Sequence, residues 1–371
     1  ETMKEKLLTF FKKETILCIA CLLAALSACI VPPDAAYLGY VDTRVLILLF
    51  SLMAVLAGFR ALGIFDRMAN LLLARAKKMR QLALTLVMLC FFSAMLVTND
   101  VALITFVPFT ILLLQRVHLE EKLIPIIVLQ TIAANLGSML TPVGNPQNLY
   151  LFSYYDLSTK TFFSAMLPPF ILSTVLILLC CLVFPKEQLS VPEAQVTVDS
   201  RRAVIYGGLF CLAVAMVLRL VPYILGLAVI VLALWLLDRH ALKTVDWGLL
   251  ATFAAFFTFS GNLARMEAVR VLFARLLSHG TILISALTCQ IISNVPAAIL
   301  LSRFTQDARG LLVGVNVGGA GTLVASLASL ITFREYTRHV PNGGKQFLFL
   351  FSGISFTFLT ILLMAMSFLN G

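Results

Sequence analysis

The 371 residues are 60% hydrophobic and only 12% charged, whereas a soluble domain is about half apolar and a quarter charged; the composition excludes a soluble globular fold and makes the bilayer the solvent. The formal charge of +10 does not indicate nucleic acid, because Lys and Arg collect at the ends of apolar runs, as membrane topology requires. Eight cysteines, all within apolar segments, read as small buried hydrophobes: Cys18 and Cys21 are spaced like half a zinc site, but no second pair or His cluster follows.

The charged stretch from Lys4 to Glu14 precedes the first apolar run without a small-residue cleavage site, which predicts an anchored first helix and not a signal peptide. Apolar runs then fall at 16–31, 44–59, 81–97, 101–115, 123–136, 145–155, 162–184, 203–218, 222–237, 247–260, 281–292, 296–302, 310–333 and 346–368. A crossing needs about 20 residues, so several runs are too short to cross alone. The pairs 81–97/101–115 and 281–292/296–302 are each split by a short polar motif. Arg75, Lys77, Lys78 and Arg80 flank the first pair on one side and Arg116 and Lys122 on the other, as expected of a hairpin that enters and leaves on the cytoplasmic face. Treating both pairs as re-entrant hairpins leaves about nine full crossings, with a cytoplasmic N-terminus and an outside C-terminus. Lys and Arg then concentrate on the cytoplasmic side, and only Arg44, Lys160, Arg219, Arg265, Arg270, Arg275, Arg303 and Arg309 lie outside. The stretches 61–78 and 263–278 alternate charged and apolar residues at helical spacing and predict interfacial helices on opposite membrane faces.

The segments repeat. A crossing, an interfacial helix, a hairpin, a broken crossing and a last crossing (162–184) recur in the same order from 247–260 onward, running the opposite way through the membrane. This predicts an all-α polytopic fold of two inverted repeats. The first covers 1–184 (hairpin 81–116, broken helix 122–155). A cytoplasmic linker and connecting crossing follow over 185–221, and the second repeat covers 222–371 (hairpin 280–304, broken helix 308–333). Thr98-Asn99-Asp100 at the first hairpin tip matches Ser293-Asn294-Val295 at the second. Asn135 to Asn148 aligns without gaps to Asn316 to Ser329, pairing Asn135 with Asn316, Gly137 with Gly318, Thr141 with Thr322, Gly144 with Ala325 and Asn145 with Ser326. Inverted repeats with broken helices meeting at the midplane are a transporter signature.

These motifs can form one site. Non-helical backbone at membrane depth persists only where protein or a water-filled cavity satisfies it, and Pro146 in Gly144-Asn145-Pro146-Gln147-Asn148 interrupts the helix, freeing carbonyls for a cation. The second arm of each hairpin begins with an N-cap type residue, Asn99 or Asp100 in one and Asn294 in the other, aiming two half-helix N-termini at the midplane where they favour negative charge. The two tips are expected to meet there, each beside the other half's broken crossing. A carboxylate at helix centre costs about 2.5–3.5 kcal/mol on insertion scales and is functional by default, which singles out Asp100. The histidines lie at helix ends, and Ser27, Ser51, Ser173 and Thr357 are read as bonding their own helix backbone.

Thr98-Asn99-Asp100-Val101-Ala102-Leu103, Asn135 to Asn148, and Ser293-Asn294-Val295-Pro296 together resemble the ion-transporter superfamily: divalent anion:sodium symporters of citrate, dicarboxylates and sulfate, arsenite and silicate effluxers, and a sodium/proton antiporter branch. The resemblance implies a homodimer whose protomers each carry a scaffold and a transport part that moves like an elevator. It also implies sodium and substrate sites at Thr98, Asn99, Gly144 and Asn145 in one half and Ser293, Asn294, Ala325 and Ser326 in the other, with Thr98, Asn99, Gly144, Ser293, Asn294 and Ala325 as sodium ligands. Asp100 stands where the symporter motif has Thr, and Val295 where a Thr would contact the carboxylate. An Asp at this place resembles the effluxer and antiporter branches; its fixed negative charge also opposes a dicarboxylate dianion at close range, and no Lys or Arg is expected at mid-depth to offset it.

The candidate site is thus Thr98, Asn99, Asp100, Thr141, Gly144, Asn145, Pro146, Ser293, Asn294, Val295, Thr322, Ala325 and Ser326. The function expected is secondary transport of a small inorganic or organic anion or oxyacid across the bacterial inner membrane, coupled to sodium or protons, with no other cofactor. The alternative is a sodium/proton antiporter or an arsenite/silicate-type effluxer using Asp100. No His-Glu-x-x-His or Gly-x-Ser-x-Gly motif indicates an enzyme.

Overall fold

A computed structural model describes residues 14–74, 76–188 and 197–370. Expectations for Lys4, Lys6, Lys12, Lys13, Arg75 and the part of the linker holding Pro192 lie outside the described residues. The regular structure described is helical apart from one bridge between Lys78 and Gln188.

The first helices are α1 (Thr15–Ile30), α2 (Thr43–Ala61) and α3 (Ile64–Leu73). Asp42 caps α2 by accepting the Val45 amide at 3.0 Å, and Gly63, at φ 68°, turns the chain into α3. The first hairpin is α4 (Met79–Val97) and α5 (Asn99–Arg116), separated by Thr98 alone. The first broken crossing is α6 (Leu123–Gly137) and α7 (Pro146–Tyr154), followed by α8 (Thr159–Leu182). The middle of the chain forms α9 (Ser200–Val217), α10 (Tyr223–Leu237), the short α11 (Arg239–Lys243) and α12 (Trp247–Arg265). Next come α13 (Glu267–Leu277), the second hairpin α14 (Thr281–Ile292) and α15 (Asn294–Leu301), the second broken crossing α16 (Ala308–Val317) and α17 (Leu327–His339), and α18 (Gly344–Asn370).

Eight helices among the described residues are long and apolar enough to cross a membrane. The count is nine if the bent pair α13 and α14 is one span, and length distinguishes the helices. Both arms of the first hairpin reach crossing length, while α14 and α15, at 12 and 8 residues, do not. The connecting helix α10 has 15 residues. The two helices expected at the interface, α3 and α13, have 10 and 11 residues, about 15 Å each and half a hydrocarbon core. α13 meets α14 at a bend of 118°.

Packing sorts the helices into two groups. A framework joins α2 to α9, α10, α11 and α12, and α12 to α1. A body contains both hairpins, both broken crossings, α8 and α18. Within the body several contacts occur twice: α4 on α6 as α14 on α16, α4 on α8 as α14 on α18, α6 on α8 as α16 on α18. The second arm of each hairpin packs on the second piece of the other half's broken crossing, α5 on α17 and α15 on α7. Framework and body meet where α2 touches α7 and α12 touches α15, with α3 and α13 as connectors.

Glycine makes the duplicated packing possible. A Cβ on Gly137 would lie 2.3 Å from the Phe91 carbonyl oxygen, and one on Gly318 would lie 2.7 Å from the Ala286 Cα, so each broken crossing lies directly on the first arm of its own hairpin. The cysteines depart from expectation: Cys90, Cys181 and Cys289 are buried, but Cys21, Cys29 and Cys211 are exposed on outer faces, where lipid replaces protein as their apolar surroundings. Ser27, Ser173 and Thr357 bond carbonyls of their own helices. Ser51 is buried with no partner.

Candidate functional site

Both hairpin tips turn on a β-hydroxyl residue held at positive φ, Thr98 at 72° and Ser293 at 75°. Such a conformation costs a non-glycine residue on the order of 1–3 kcal/mol. The N-cap therefore falls one residue earlier than expected: Thr98 and Ser293 cap, and Asn99 and Asn294 open their helices. The shift leaves each asparagine Oδ1 free to fold back on the next amide, Asp100 N at 3.0 Å and Val295 N at 2.9 Å.

Each tip is held by the break of its own half. The Asn99 amide donates to the Gly144 carbonyl at 3.2 Å, and its side chain donates to Asn135 Oδ1 at 3.0 Å. Ser293 Oγ approaches the Ala325 carbonyl at 3.4 Å. Thr141 donates to the Met95 carbonyl and Thr322 to the Gln290 carbonyl at 3.1 Å, three residues before the tip in both cases. The polar contacts of each tip are thus within its own half, while its second arm packs beside the other half's broken crossing and the halves join through their breaks.

That junction is reciprocal. Asn135 accepts from Ser326 Oγ at 2.9 Å and donates to Ser329 Oγ at 3.0 Å. Asn316 accepts from Asn145 Nδ2 at 3.0 Å and donates to Asn148 Oδ1 at 2.6 Å. Positions 145 and 148 align with 326 and 329, the N-cap and third residue of α7 and α17, so each half's asparagine binds the same two positions of the other half. Asn145 caps α7 through the Asn148 amide at 2.9 Å, with Pro146 at the first helical position. Asn135, Asn316, Asn148 and Ser329 were absent from the candidate set, although the gapless alignment contained the signal.

Other carbonyls of the two breaks, outside Gly144 to Asn148, are bonded within the protein. Asn148 Nδ2 reaches those of Met139 and Thr141, each at 3.0 Å, and Gln290 Nε2 reaches those of Gly318 at 2.8 Å and Ala320 at 3.1 Å. Buried backbone acceptors require partners, and these two amides supply them. A Cβ on Gly144 would lie 2.1 Å from the Ser138 carbonyl oxygen, which fixes glycine in the tight first break.

A cavity of about 640 Å³ opens between framework and body. From the body it is lined by Thr98, Asp100, Val101 and Ile104 of the first hairpin, Val143, Asn145, Pro146 and Leu149 of the first break, and Leu327 and Ile331 of α17. From the framework come Glu14, the Leu49–Arg60 face of α2, and Lys243 to Leu249. Thr98, Asp100, Asn145 and Pro146 thus meet at one surface. Ser293, Asn294, Val295, Ala325 and Ser326 do not line it and are buried. Arg60 and Lys243 supply the basic groups that the apolar runs did not foretell at the site, and Asp246 adds a carboxylate.

The family described as citrate transporter matches residues 7–308. The chain is 32% identical over 329 residues to an uncharacterized transporter of Methanocaldococcus jannaschii, covering 88% of this chain and 89% of that one. It is 32% identical over 302 residues to the inner membrane protein YbiR of Escherichia coli, covering 79% and 80%. A silicon efflux transporter of Oryza sativa is 30% identical over 154 residues, 41% of this chain and 31% of that one.

Proposed function

The chain belongs to the citrate transporter family, and from that premise we propose that it moves a small anion or oxyacid across the cytoplasmic membrane, coupled to sodium or protons. It does so as a homodimer by an elevator motion of the body against the framework. The observation that carries the reading is the cavity: Thr98, Asp100, Asn145 and Pro146 of the body face Arg60 and Lys243 of the framework across it. The mixed charge suits an oxyacid or anion travelling with a cation, since Asp100 opposes a bare dianion at close range while a coupling cation or proton relieves it. The interlocked breaks support motion of the body as one piece, because the Asn135 and Asn316 bonds join its halves.

The alternative is sodium/proton exchange or efflux of an arsenite- or silicate-like acid, using Asp100 as the exchanging carboxylate. Asp246 and Glu14 on the same cavity wall favour it, as does similarity to the rice protein. Stability of the purified protein toward citrate, sulfate and arsenite, each with and without sodium, tests the two readings. A ligand at 100 times its Kd stabilises by about 2.7 kcal/mol. Sodium-dependent stabilisation by an anion is the expected result, and stabilisation by sodium alone selects exchange. In proteoliposomes Asp100→Asn should abolish the ion and pH dependence of transport in a folded protein. An unchanged profile would remove Asp100 from coupling.

A further inference from the structure

We propose that Arg219 and Arg303 form a two-arginine closure that seals the framework–body seam beyond the inner end of the cavity, and that both contacts break when the cavity closes and the other side opens. The inference rests on the reading of framework and body as parts that move against each other.

Three helices run from the cavity to the closure. In α2 the cavity is lined up to Arg60, while Tyr40 lies just before its start. In α12 the cavity is lined by Trp247 to Leu249, and Arg265 is its last residue. In α7 Asn145 and Pro146 line the cavity, and Tyr154 ends the helix. The deepest lining residues are Leu49 in α2 and Leu149 in α7, several residues short of Tyr40 and Tyr154, so the closure lies beyond the inner end of the cavity on the same seam.

Arg219, between the framework helices α9 and α10, reaches the end of body helix α7. Its Nη2 donates to the Phe152 carbonyl at 3.0 Å, its guanidinium lies 5.0 Å from the Phe152 ring centroid, and Nη1 pairs with Asp156 at 2.9 Å. Arg303, just after body helix α15, reaches back to the framework. Its Nη2 donates to the Tyr40 carbonyl at 3.1 Å, and its guanidinium lies 5.5 Å from the ring centroid of Tyr154, itself in the body. Tyr40 is fixed to the framework: Arg265 donates to its hydroxyl at 3.1 Å and to Asp34 at 2.8 Å, and its ring fills the space a Cβ on Gly261 would need. The hydrogen bond from Arg265 holds the Asp34 carboxyl below its ordinary value. The support it gives is full above the ordinary carboxylate pKa and is lost only as pH falls through the lowered one, so this anchor holds at neutral pH.

The contacts are built to open. Arg219 and Asp156 are both held at positive φ, 63° and 51°, and Asp156 is 78% exposed, so their ion pair adds little. Arg303 Nε is buried without a partner, so the closed arrangement forgoes one hydrogen bond. Contacts within the body beside them carry no such cost: Tyr150 bonds Ser302 at 2.7 Å, and Tyr155 bonds the Thr305 carbonyl at 2.8 Å.

Hydrogen–deuterium exchange of the full chain in lipid nanodiscs tests this without any substrate, so failure to find a transported anion would bear on the proposed function and leave this test standing. In Arg219→Gln and Arg303→Gln, which keep much of the side-chain stem, exchange should rise at least threefold in segments 33–42 and 152–158. It should fall at least threefold in the cavity-wall segments 57–62 and 243–249, because the population shifts to the state in which that wall is covered. Arg219→Lys, which keeps the charge and one donor, should fall between wild type and Arg219→Gln. A rise at the closure with no fall at the cavity wall makes the contacts local packing and overturns the proposal, as does an unchanged pattern.

Discussion

Asn135 and Asn316 each bind an N-cap and the third residue of a helix in the opposite half, and all four partners are buried. A buried polar group left without a partner costs about 1–3 kcal/mol. Asn316→Ala should therefore destabilise the protein by roughly 2–4 kcal/mol, since Asn145 Nδ2 loses one of two acceptors and Asn148 Oδ1 loses its donor. Denaturant titration in detergent measures this, and a loss below about 0.5 kcal/mol, within the range of ordinary surface substitutions, would show that the lattice does not hold the halves together. Asp100 differs from these residues. It lines the cavity while its neighbour Asn99 is committed to Asn135, so adjacent positions of one tip divide between the buried lattice and the cavity wall.

At the scale of elements, the broken crossings depend on close backbone approach. Gly137→Leu must push α6 off α4, because its Cβ alone would lie 2.3 Å from a backbone oxygen, and overpacking of this kind costs about 1–3 kcal/mol or more. Gly207→Ala in α9 has nothing within 4 Å and should be neutral or stabilising by up to about 1 kcal/mol through helix propensity. Equal yields of folded protein for the two variants would refute the packing argument. The hairpins and breaks were legible in the sequence because short polar motifs interrupt runs that are otherwise apolar, and Asn145 and Ser326 do align as helix caps. The tip conformation was not legible. Helix propensity favours Asn or Asp as the cap, and only tertiary contacts with the breaks hold Thr98 and Ser293 in a strained conformation. Arg60 and Lys243 were read as the cytoplasmic ends of crossings, and a linear pattern does not tell which helix ends share a cavity. Arg219 and Arg303 were counted as outside charges, yet each is tied to a carbonyl and an aromatic ring.

At the scale of the whole molecule, the proposed elevator motion requires that the seam with the framework slides while the duplicated contacts of the body hold. Ala57 of α2 and Ile104 of α5 line the cavity from opposite groups, whereas Tyr155 and Thr305 touch within the body. Cysteines at 57 and 104 joined by a bismaleimide should stop transport, because the tether spans the moving boundary. Cysteines at 155 and 305, which are partly exposed, joined by the same reagent should leave most transport intact, because that distance does not change. The native cysteines require a matched background treated with reagent alone, and reactive sites are limited by burial at Cys90, Cys181 and Cys289. Arrest by both tethers would place motion inside the body, and arrest by neither would mean that transport needs no relative movement of framework and body. Arrest by the first tether alone makes the seam the sliding surface and the interlocked breaks its rigid passenger.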